Sequence, residues 1–158
     1  MKMLFLCTAN ACRSQMAEGF AKRLAQGQLW KGAPLTDVPE PCRLWEPRSA
    51  GIEPTQLDPR AVAVMREIGI DISDQYSKGL DLGELFQMDL VITLCGDAEE
   101  RCPRTPPEVR HLHWPLPDPA KATGTPEEVL EKFRSVRDEI GRRVVRWALE
   151  GSEEDSHS

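Results

Sequence analysis

Short apolar runs alternate with longer amphipathic segments along the chain, and the two patterns predict different elements. The apolar runs indicate strands at residues 3–7, within 44–52, at 89–95 and at 109–114. Helix start signals and the spacing of apolar residues predict helices at 14–26, 58–68, near 79–86 and from 125 onward. Strands that alternate with helices are typical of an α/β domain, in which helices cover both faces of a parallel sheet.

Local signals define the ends of these elements and the segments outside them. Asp58 followed by Pro59 predicts a helix start, and Thr125 before Pro126 opens the long C-terminal helix. Residues 28–47 contain four prolines and are interpreted as an extended loop that includes Cys42. We expect one domain over residues 1–150 and a disordered acidic tail over 151–158.

The composition narrows the function classes. The 158 residues include 26 Asp and Glu against 20 Lys and Arg, and the formal charge of −6 argues against binding to nucleic acid or to an anionic membrane. No apolar run approaches the roughly 20 residues of a transmembrane helix, and no signal-peptide pattern precedes the first strand. The five cysteines, an odd number, fit poorly with a disulfide scaffold. We expect a cytoplasmic protein with reduced thiols, present as a monomer.

The segment after the first strand carries the most informative chemistry. Five residues separate Cys7 from Arg13, and four of the five have small or short polar side chains. In such a loop the backbone N–H groups can turn inward around a tetrahedral oxyanion and favour the thiolate form of Cys7. A buried structural cysteine beside a turn is the alternative. The residues expected to surround the anion are Thr8, Ala9, Asn10, Ala11, Cys12, Arg13 and Ser14.

Cys95 and Cys102 form a second group of thiols. Cys95 ends a predicted strand, as Cys7 does, and in a doubly wound sheet the carboxyl ends of the strands meet at one crevice. A continuous helix from Cys95 to Cys102 would separate them by about 10.5 Å along its axis, whereas a disulfide needs Cα atoms within about 7 Å. A bond between them therefore requires the intervening turn to unwind. Two unrelated thiols are the alternative.

Asp118 and two histidines complete the candidates. Asp118 follows the last predicted strand, where a neighbouring anion would favour its protonated form and let it act as a general acid, although it could equally be a turn residue. Cys95, Cys102, His111 and His113 offer four zinc ligands, but their C-x6-C and H-x-H spacings differ from those of structural zinc sites. We therefore expect no metal site and interpret both histidines as surface or core residues.

Together these motifs resemble those of thioredoxin-coupled arsenate reductases, which share their fold with low-molecular-weight protein tyrosine phosphatases. The segments that carry the resemblance are Cys7 to Gly19, Ser49 to Gly51, Asp89 to Asp97, Cys102-Pro103, and His113 to Pro119. They cover most of residues 3–146 in order. The resemblance implies a single three-layer domain, with a four-stranded parallel sheet between helices in a flavodoxin-like topology.

The resemblance also implies a reaction. Cys7 attacks arsenate bound in the loop that Arg13 closes, and Asp118 protonates the departing oxygen. Cys95 then attacks Cys7 and releases arsenite, and Cys102 attacks Cys95 to leave a disulfide that thioredoxin reduces. Thiol exchange supplies the electrons, so no bound cofactor is needed, and phosphate or sulfate is expected to mimic arsenate.

Two departures from the family pattern carry further expectations. Some members bind potassium through residues that correspond to Asn10, Glu18, Ser49 and an acidic residue, and this chain has Lys78 at the acidic position. We expect the Lys78 ammonium to replace the ion and to pair with Glu18. The family loop usually has glycine where Ala9 stands, so a positive φ at Ala9 would add strain of order 1 kcal/mol.

Two other functions stay open at this point. A low-molecular-weight tyrosine phosphatase would form a phosphoenzyme intermediate on Cys7. Such enzymes usually carry aromatic residues just after the general-acid aspartate, where this chain has Pro119. A non-enzymatic thiol redox sensor would use the later cysteines but would have no need of Arg13 or Asp118.

Overall fold

The structure, a computed structural model, describes the backbone of residues 1–155 and the side chains of residues 1–150. In this part of the chain the strands are β1 (Lys2–Cys7), β2 (Glu46–Gly51), β3 (Leu90–Thr93) and β4 (Arg110–His113). The α-helices are α1 (Arg13–Ala25), α2 (Pro59–Glu67), α3 (Leu82–Leu85), α4 (Gly96–Arg101) and α5 (Pro126–Asp155). Two short 3-10 helices, Glu40–Leu44 and Pro119–Lys121, precede β2 and α5.

The four strands form one parallel sheet in the order β2-β1-β3-β4. β1 lies at the centre, with Phe5 opposite Ser49 of β2 and Ile92 of β3. Residues 3–7 are all buried without alternation, which is the pattern of a strand covered on both faces. The predicted four-stranded parallel sheet flanked by helices is thus confirmed, and the carboxyl ends of β1 and β3 share one edge.

Helices α1, α2 and α5 pack against one another. α5 approaches α1 at Gly141, where an added Cβ would lie 3.1 Å from the ring of the buried Phe20. Arg137 of α5 reaches α2, donating hydrogen bonds to the Val64 carbonyl at 2.8 Å and to the Glu67 carboxylate at 2.9 Å. This packing holds α1 and α2 together through α5, and the amino-terminal ends of α1 and α2 both border the site described below.

The helix and strand boundaries follow the sequence signals closely. Asp58 caps α2 by accepting a hydrogen bond from the Arg60 N–H at 2.8 Å, with Pro59 in the first turn as predicted. α1 begins one residue earlier than predicted. The helical segment predicted near 79–86 is the single turn of α3, and β3 is shorter than the predicted strand at 89–95.

Residues 28–47 are more ordered than the predicted loop. Their 3-10 helix contains Cys42, which is fully buried, and Trp30 packs edge-on against Phe20 with ring centroids 4.7 Å apart. Burial raises the pKa of Cys42 to about 11, so this thiol stays protonated and packs as an apolar side chain. The segment is therefore anchored to the core at two points, and Cys42 is one of the anchors.

The last helix extends beyond the predicted domain end. The backbone of residues 151–155 continues α5, where the sequence predicts a disordered tail, because each further residue of an existing helix adds one hydrogen bond. Residues 156–158 lie outside the described residues, and for them the predicted tail stays a prediction. None of the described helices is long and apolar enough to cross a membrane.

Candidate active site

The carboxyl end of β1 opens into a loop, residues 8–12, that leads directly into α1. Cys7 is buried, and its Sγ lies 2.8 Å from Ser14 Oγ. The sequence places Ser14 or Arg13 near the helix cap, whereas the structure has Cys12 as N-cap, without a capping hydrogen bond from any described side chain. The first-turn N–H groups of α1 are therefore available to an anion beside the thiol.

Asn10 turns the loop. Its φ is +50°, and it is the one non-glycine residue with a positive φ in the described part of the chain. Asparagine adopts this left-handed region more readily than most residues. Ala9 has no positive φ, so the strain considered for it does not arise, and the turn that the family glycine suggested falls one residue later.

Neutral hydrogen bonds fix the Asn10 side chain. Asn10 Nδ2 donates to Ser14 Oγ at 2.7 Å, while its Oδ1 accepts from Gln15 Nε2 at 3.0 Å and from the Lys78 backbone N–H at 2.8 Å. Because Ser14 Oγ accepts this bond, its own proton is free to be donated to Cys7 Sγ. The loop is thus held from α1 on one side and from the segment before α3 on the other.

Gly51 at the end of β2 lets the loop approach the sheet closely. A Cβ at this position would lie 2.8 Å from the Thr8 carbonyl oxygen and 2.9 Å from the Asn10 nitrogen. The Gly51 N–H donates a hydrogen bond to the Lys78 carbonyl at 2.8 Å, so β2 also holds the segment before α3 in place. The Ser49-Ala50-Gly51 motif therefore ends in glycine because a side chain there would collide with residues 8–12, which we call the anion loop.

Arg13 and Asp118 face each other across the pocket. Arg13 is 7 % exposed; its Nη1 donates to the Leu116 carbonyl at 3.1 Å, and its Nη2 lies 3.6 Å from Asp118 Oδ2. Asp118 Oδ1 accepts from the Ala120 N–H at 3.0 Å and so caps the short helix that follows it. Both side chains line one cavity of about 310 Å³ together with Cys7.

Cys12 lines the same cavity but has different chemistry. Burial, followed by the carboxylate of Asp58, raises the pKa of Cys12 far above its ordinary range. Partial burial acts to raise the pKa of Asp58, but hydrogen bonds from Arg60 outweigh it, so the pKa of this carboxyl is lowered. Cys12 therefore stays a thiol at neutral pH. The sequence identifies Asp58 only as a helix cap, and no local signal links it to Cys12 or to the pocket.

β3 brings Cys95 to the same edge of the sheet as Cys7, as the sequence predicts. Cys95 is 8 % exposed and is the N-cap of α4, where its Sγ accepts from the Ala98 N–H at 3.4 Å. The same Sγ lies 3.4 Å from the hydroxyl of Thr8, the residue that follows Cys7. The second thiol is thus in contact with the anion loop itself.

Cys102 lies at the opposite end of α4, as its C-cap, and is partly exposed. Burial, and next the carboxylate of Glu99, raises the pKa of Cys102. The whole of α4 therefore lies between Cys95 and Cys102, which cap its two ends. All five cysteines are free, and the predicted unwinding of α4 stays a prediction.

Glu18 lies in a buried cluster beside the anion loop. Ser49 donates a short hydrogen bond to its Oε1, and Lys78 Nζ lies 3.6 Å from the same oxygen. Lys22 Nζ lies 2.5 Å from Oε2. The expected pairing of Lys78 with Glu18 is therefore present. Lys22 is a second cation that the sequence reasoning missed, although its position four residues after Glu18 is a recognisable signal.

The two histidines of β4 contact a carboxylate. Glu99 of α4 is hydrogen-bonded to His111 Nε2 and lies 3.5 Å from His113 Nδ1. Among the residues whose side chains are described, no three or more His, Cys, Asp or Glu side chains are arranged to hold a metal ion.

The sheet order, the loop after β1 and the arginine that closes it define a phosphatase-type oxyanion site. The chain belongs to the low molecular weight phosphotyrosine protein phosphatase family, whose sequence pattern matches residues 2–156. Within this family it is similar to arsenate reductases. The arsenate reductase of Bacillus licheniformis is 51 % identical over 147 residues, which are 93 % of this chain and 94 % of that protein.

Solved structures of arsenate reductases and of phosphatases share this fold. An arsenate reductase in the phosphate binding state superposes with a TM-score of 0.69 at 34 % identity, covering 95 % of this chain and 98 % of that one. A thioredoxin-dependent arsenate reductase of Corynebacterium glutamicum superposes with a TM-score of 0.58 at 28 % identity, covering 90 % and 61 % of the two chains.

Proposed function

We propose that the protein is an arsenate reductase that reduces arsenate to arsenite with three thiols, which thioredoxin returns to the reduced state. One observation carries the proposal: a buried thiol, Cys7, lies inside a preformed anion loop, and a second thiol, Cys95, contacts the same loop through Thr8. A third thiol ends the helix that begins at Cys95. The similarity to arsenate reductases supports the same activity.

In the first step the Cys7 thiolate attacks the arsenic of bound arsenate. A sulfur–arsenic bond forms and one arsenic–oxygen bond breaks. Arg13 and the N–H groups of the loop bind the oxygens that remain, while Asp118 supplies the proton with which the departing oxygen leaves as water. The hydroxyl of Ser14 lies 2.8 Å from Cys7 Sγ and can donate a hydrogen bond to the attacking sulfur.

In the second step Cys95 attacks Cys7 Sγ. The Cys7–Cys95 disulfide forms, and the sulfur–arsenic bond breaks with its electron pair left on arsenic. Two thiols have then lost two electrons, and arsenic has gained them and leaves as arsenite. The Ala98 N–H donates a hydrogen bond to Cys95 Sγ at 3.4 Å and holds the attacking sulfur beside the loop.

In the third step Cys102 attacks Cys95 and releases Cys7 as a thiolate. The resulting Cys95–Cys102 disulfide lies nearer the surface than Cys7, because Cys102 is the one partly exposed thiol among the five. Thioredoxin, a dithiol reductant, restores both thiols by exchange. We place this chemistry in a reducing compartment such as the cytoplasm, with the protein as a monomer.

The Lys78 ammonium takes the place of the potassium ion that some thioredoxin-coupled arsenate reductases bind. Its ammonium supplies a positive charge 3.6 Å from Glu18 Oε1, beside the loop that Asn10 turns. Burial lowers the pKa of Lys78, and the carboxylate of Glu18 opposes this shift. Because the Lys78 ammonium is part of the chain, it supports the anion loop without a bound potassium ion.

The pocket favours an inorganic oxyanion over an aryl phosphate. The residues that line it are Cys7, Ala9, Ala11, Cys12, Arg13, Thr55, Gln56, Leu57, Asp58, Pro59, Asp118 and Ala120, and none is aromatic. A tyrosyl ring would find no side chain to stack on. Because phosphate and arsenate have the same shape and charge, weak phosphatase activity is expected as a side reaction.

The test is turnover of arsenate with thioredoxin, thioredoxin reductase and NADPH. Wild type is compared with Cys7→Ser, Cys95→Ser and Cys102→Ser, and with Cys42→Ala, whose thiol lies outside the site. A reductase loses multiple turnover with each of the first three substitutions and keeps it with Cys42→Ala. Cys102→Ser still releases one equivalent of arsenite, because the first two steps remain.

A phosphatase gives a different pattern. Hydrolysis of an aryl phosphate is then lost only with Cys7→Ser, and no arsenite forms with any variant. That result would overturn the proposed reduction. A thiol sensor predicts that Arg13→Lys and Asp118→Asn leave the redox behaviour of the protein unchanged.

A further inference from the structure

Helix α4 is attached to the fold by few apolar contacts. Its six residues, all described, include one buried side chain, that of Ala98. A helix of this length has little stability of its own. Polar contacts therefore carry much of the attachment of a helix whose ends must come together when Cys95 and Cys102 form a bond.

Three side chains of α4 make polar contacts with its surroundings. Asp97 accepts a hydrogen bond from Thr8 Oγ1 at 2.8 Å, close to the end that carries the second thiol. Arg101 donates to Glu53 at 2.6 Å, but the Glu53 side chain is 67 % exposed, so solvent screens this pair. The third side chain is that of Glu99, in the middle of the helix, which contacts β4.

Glu99 joins α4 to the sheet. Its two oxygens meet different histidines of β4: Oε1 is hydrogen-bonded to His111 Nε2, and Oε2 lies 3.5 Å from His113 Nδ1. His113 Nδ1 has a nearer partner in the hydroxyl of Thr93 on β3, at 2.9 Å, so the hydrogen bond that joins Glu99 to β4 is the one to His111. Each side chain of the Glu99 pairs is about one third exposed. The carboxylate therefore connects α4 to strand β4 of the sheet.

We propose that Glu99 is a positioning residue for the last thiol exchange. By bridging α4 to His111 and His113 it keeps the helix folded, and so it limits the rate at which Cys102 reaches Cys95. The inference deepens the proposed function and rests on its three-thiol relay.

The step that Glu99 controls is an exchange without net oxidation. Cys102 Sγ attacks Cys95 Sγ in the Cys7–Cys95 disulfide, the Cys95–Cys102 bond forms, and Cys7 leaves as a thiolate while the proton of Cys102 passes to solvent. Next to burial, the Glu99 carboxylate also raises the pKa of Cys102, which lowers the fraction of attacking thiolate. Both effects slow the exchange, so removing the charge of Glu99 accelerates it.

The test follows a single turnover without thioredoxin. Reduced protein is mixed with arsenate, quenched in acid at successive times and alkylated, and the Cys7–Cys95 and Cys95–Cys102 disulfides are quantified by mass spectrometry. The variants are Glu99→Gln and His111→Arg, with Glu100→Gln as the control because Glu100 is the exposed neighbour on the same helix.

Glu99→Gln is expected to speed conversion of the first disulfide into the second about threefold to tenfold, the range for weakening one partly exposed hydrogen bond of a carboxylate and removing a charge beside a thiol. His111→Arg places a permanent cation opposite Glu99 and slows conversion by a similar factor. Glu100→Gln stays within about twofold of wild type. The yield and rate of arsenite release change less than about twofold in all three variants, because they precede the exchange.

The double variant Glu99→Gln with His111→Arg separates this role from a merely structural one. Without the carboxylate the arginine has no partner at position 99, so the slowing by His111→Arg must disappear. Persistent slowing, or a rate for Glu99→Gln equal to that of Glu100→Gln, would overturn the inference while the relay stands. Absence of the Cys7–Cys95 disulfide from every protein would instead refute the relay, and with it both proposals.

Discussion

Gly51→Ala tests whether the close approach of β2 to the anion loop shapes the site. The added Cβ would lie 2.8 Å from the Thr8 carbonyl oxygen and 2.9 Å from both the nitrogen and the Cβ of Asn10. Two of these three atoms belong to the backbone, and none is the end of a flexible side chain. The loop or the strand must therefore move by several tenths of an ångström.

The size of the effect follows from this contact. An additional methyl group in a closely packed region destabilises a protein by about 1–3 kcal/mol. At this chain length each kcal/mol corresponds to about 2–4 °C, so the melting temperature is expected to fall by about 2–12 °C. The loop that moves also carries the anion donors, and the loss of one charge-assisted hydrogen bond weakens phosphate binding about tenfold.

The assay combines thermal unfolding with calorimetric titration of phosphate as an arsenate mimic. Gly79→Ala is the matched control, because Gly79 forms the β-bridge with Gly51 and its added Cβ would have only ordinary contacts, the nearest at 3.4 Å to Pro54. Only Gly51→Ala should lower both stability and phosphate affinity. Equal values for the two variants would show that the loop tolerates the methyl group, and the steric explanation of the motif would be wrong.

Three further predictions concern single side chains. If Lys78 replaces an ion beside Glu18, turnover of the wild type is the same in sodium and in potassium buffers, whereas Lys78→Asp gains a requirement for potassium; potassium stimulation of the wild type would contradict this. Asp118→Asn lowers kcat about 10²–10³-fold with phosphate affinity within about threefold of wild type, because the amide cannot supply the proton; unchanged kcat would remove Asp118 from the mechanism. Hydrogen bonds from Arg134 lower the pKa of Glu67 below its ordinary value of 4.5. The contribution of the ionised Glu67 carboxylate to the free energy of unfolding is therefore complete above that value, and it is lost as the pH falls through the lower pKa of the folded state. The free energy of unfolding, measured with urea from pH 3 to 7, should therefore differ less between wild type and Glu67→Gln as the pH falls. A difference that stays constant with pH would contradict the linkage.

The fold was predictable because its signals are local. The run at 3–7 is buried throughout in β1, and Asp58 with Pro59 begins α2 as the capping rule requires. Residues 28–47 were less predictable, since their order comes from Trp30 and Cys42 packing on the core from a distance along the chain. Proline content alone indicates a loop and says nothing of such anchors.

The sequence indicates that Cys7, Arg13 and Asp118 lie close together, as they do in one cavity, but it does not indicate the contacts that orient them. The family glycine raises the question of a positive φ at Ala9, and it is Asn10, a residue that tolerates this conformation better, that adopts it. Gln15 bridges Asn10 and the carbonyl of Tyr76, which lies 61 residues away in the chain. Contacts of this kind depend on where the sheet places distant segments, and no periodicity or spacing in the sequence records them.

The two halves of the site are built in opposite ways, and the chemistry requires the difference. The anion loop holds Cys7 and its donors through buried, neutral hydrogen bonds, so it can bind a transition state without rearranging. In the proposed relay, helix α4 must instead unwind once in every turnover, and its attachment suits this, since it consists of one buried methyl group and partly exposed polar contacts, which are weak in water. A more apolar α4 would hold Cys95 and Cys102 apart and stop the relay after its first disulfide. A looser anion loop would lose the oxyanion before Cys7 could attack it.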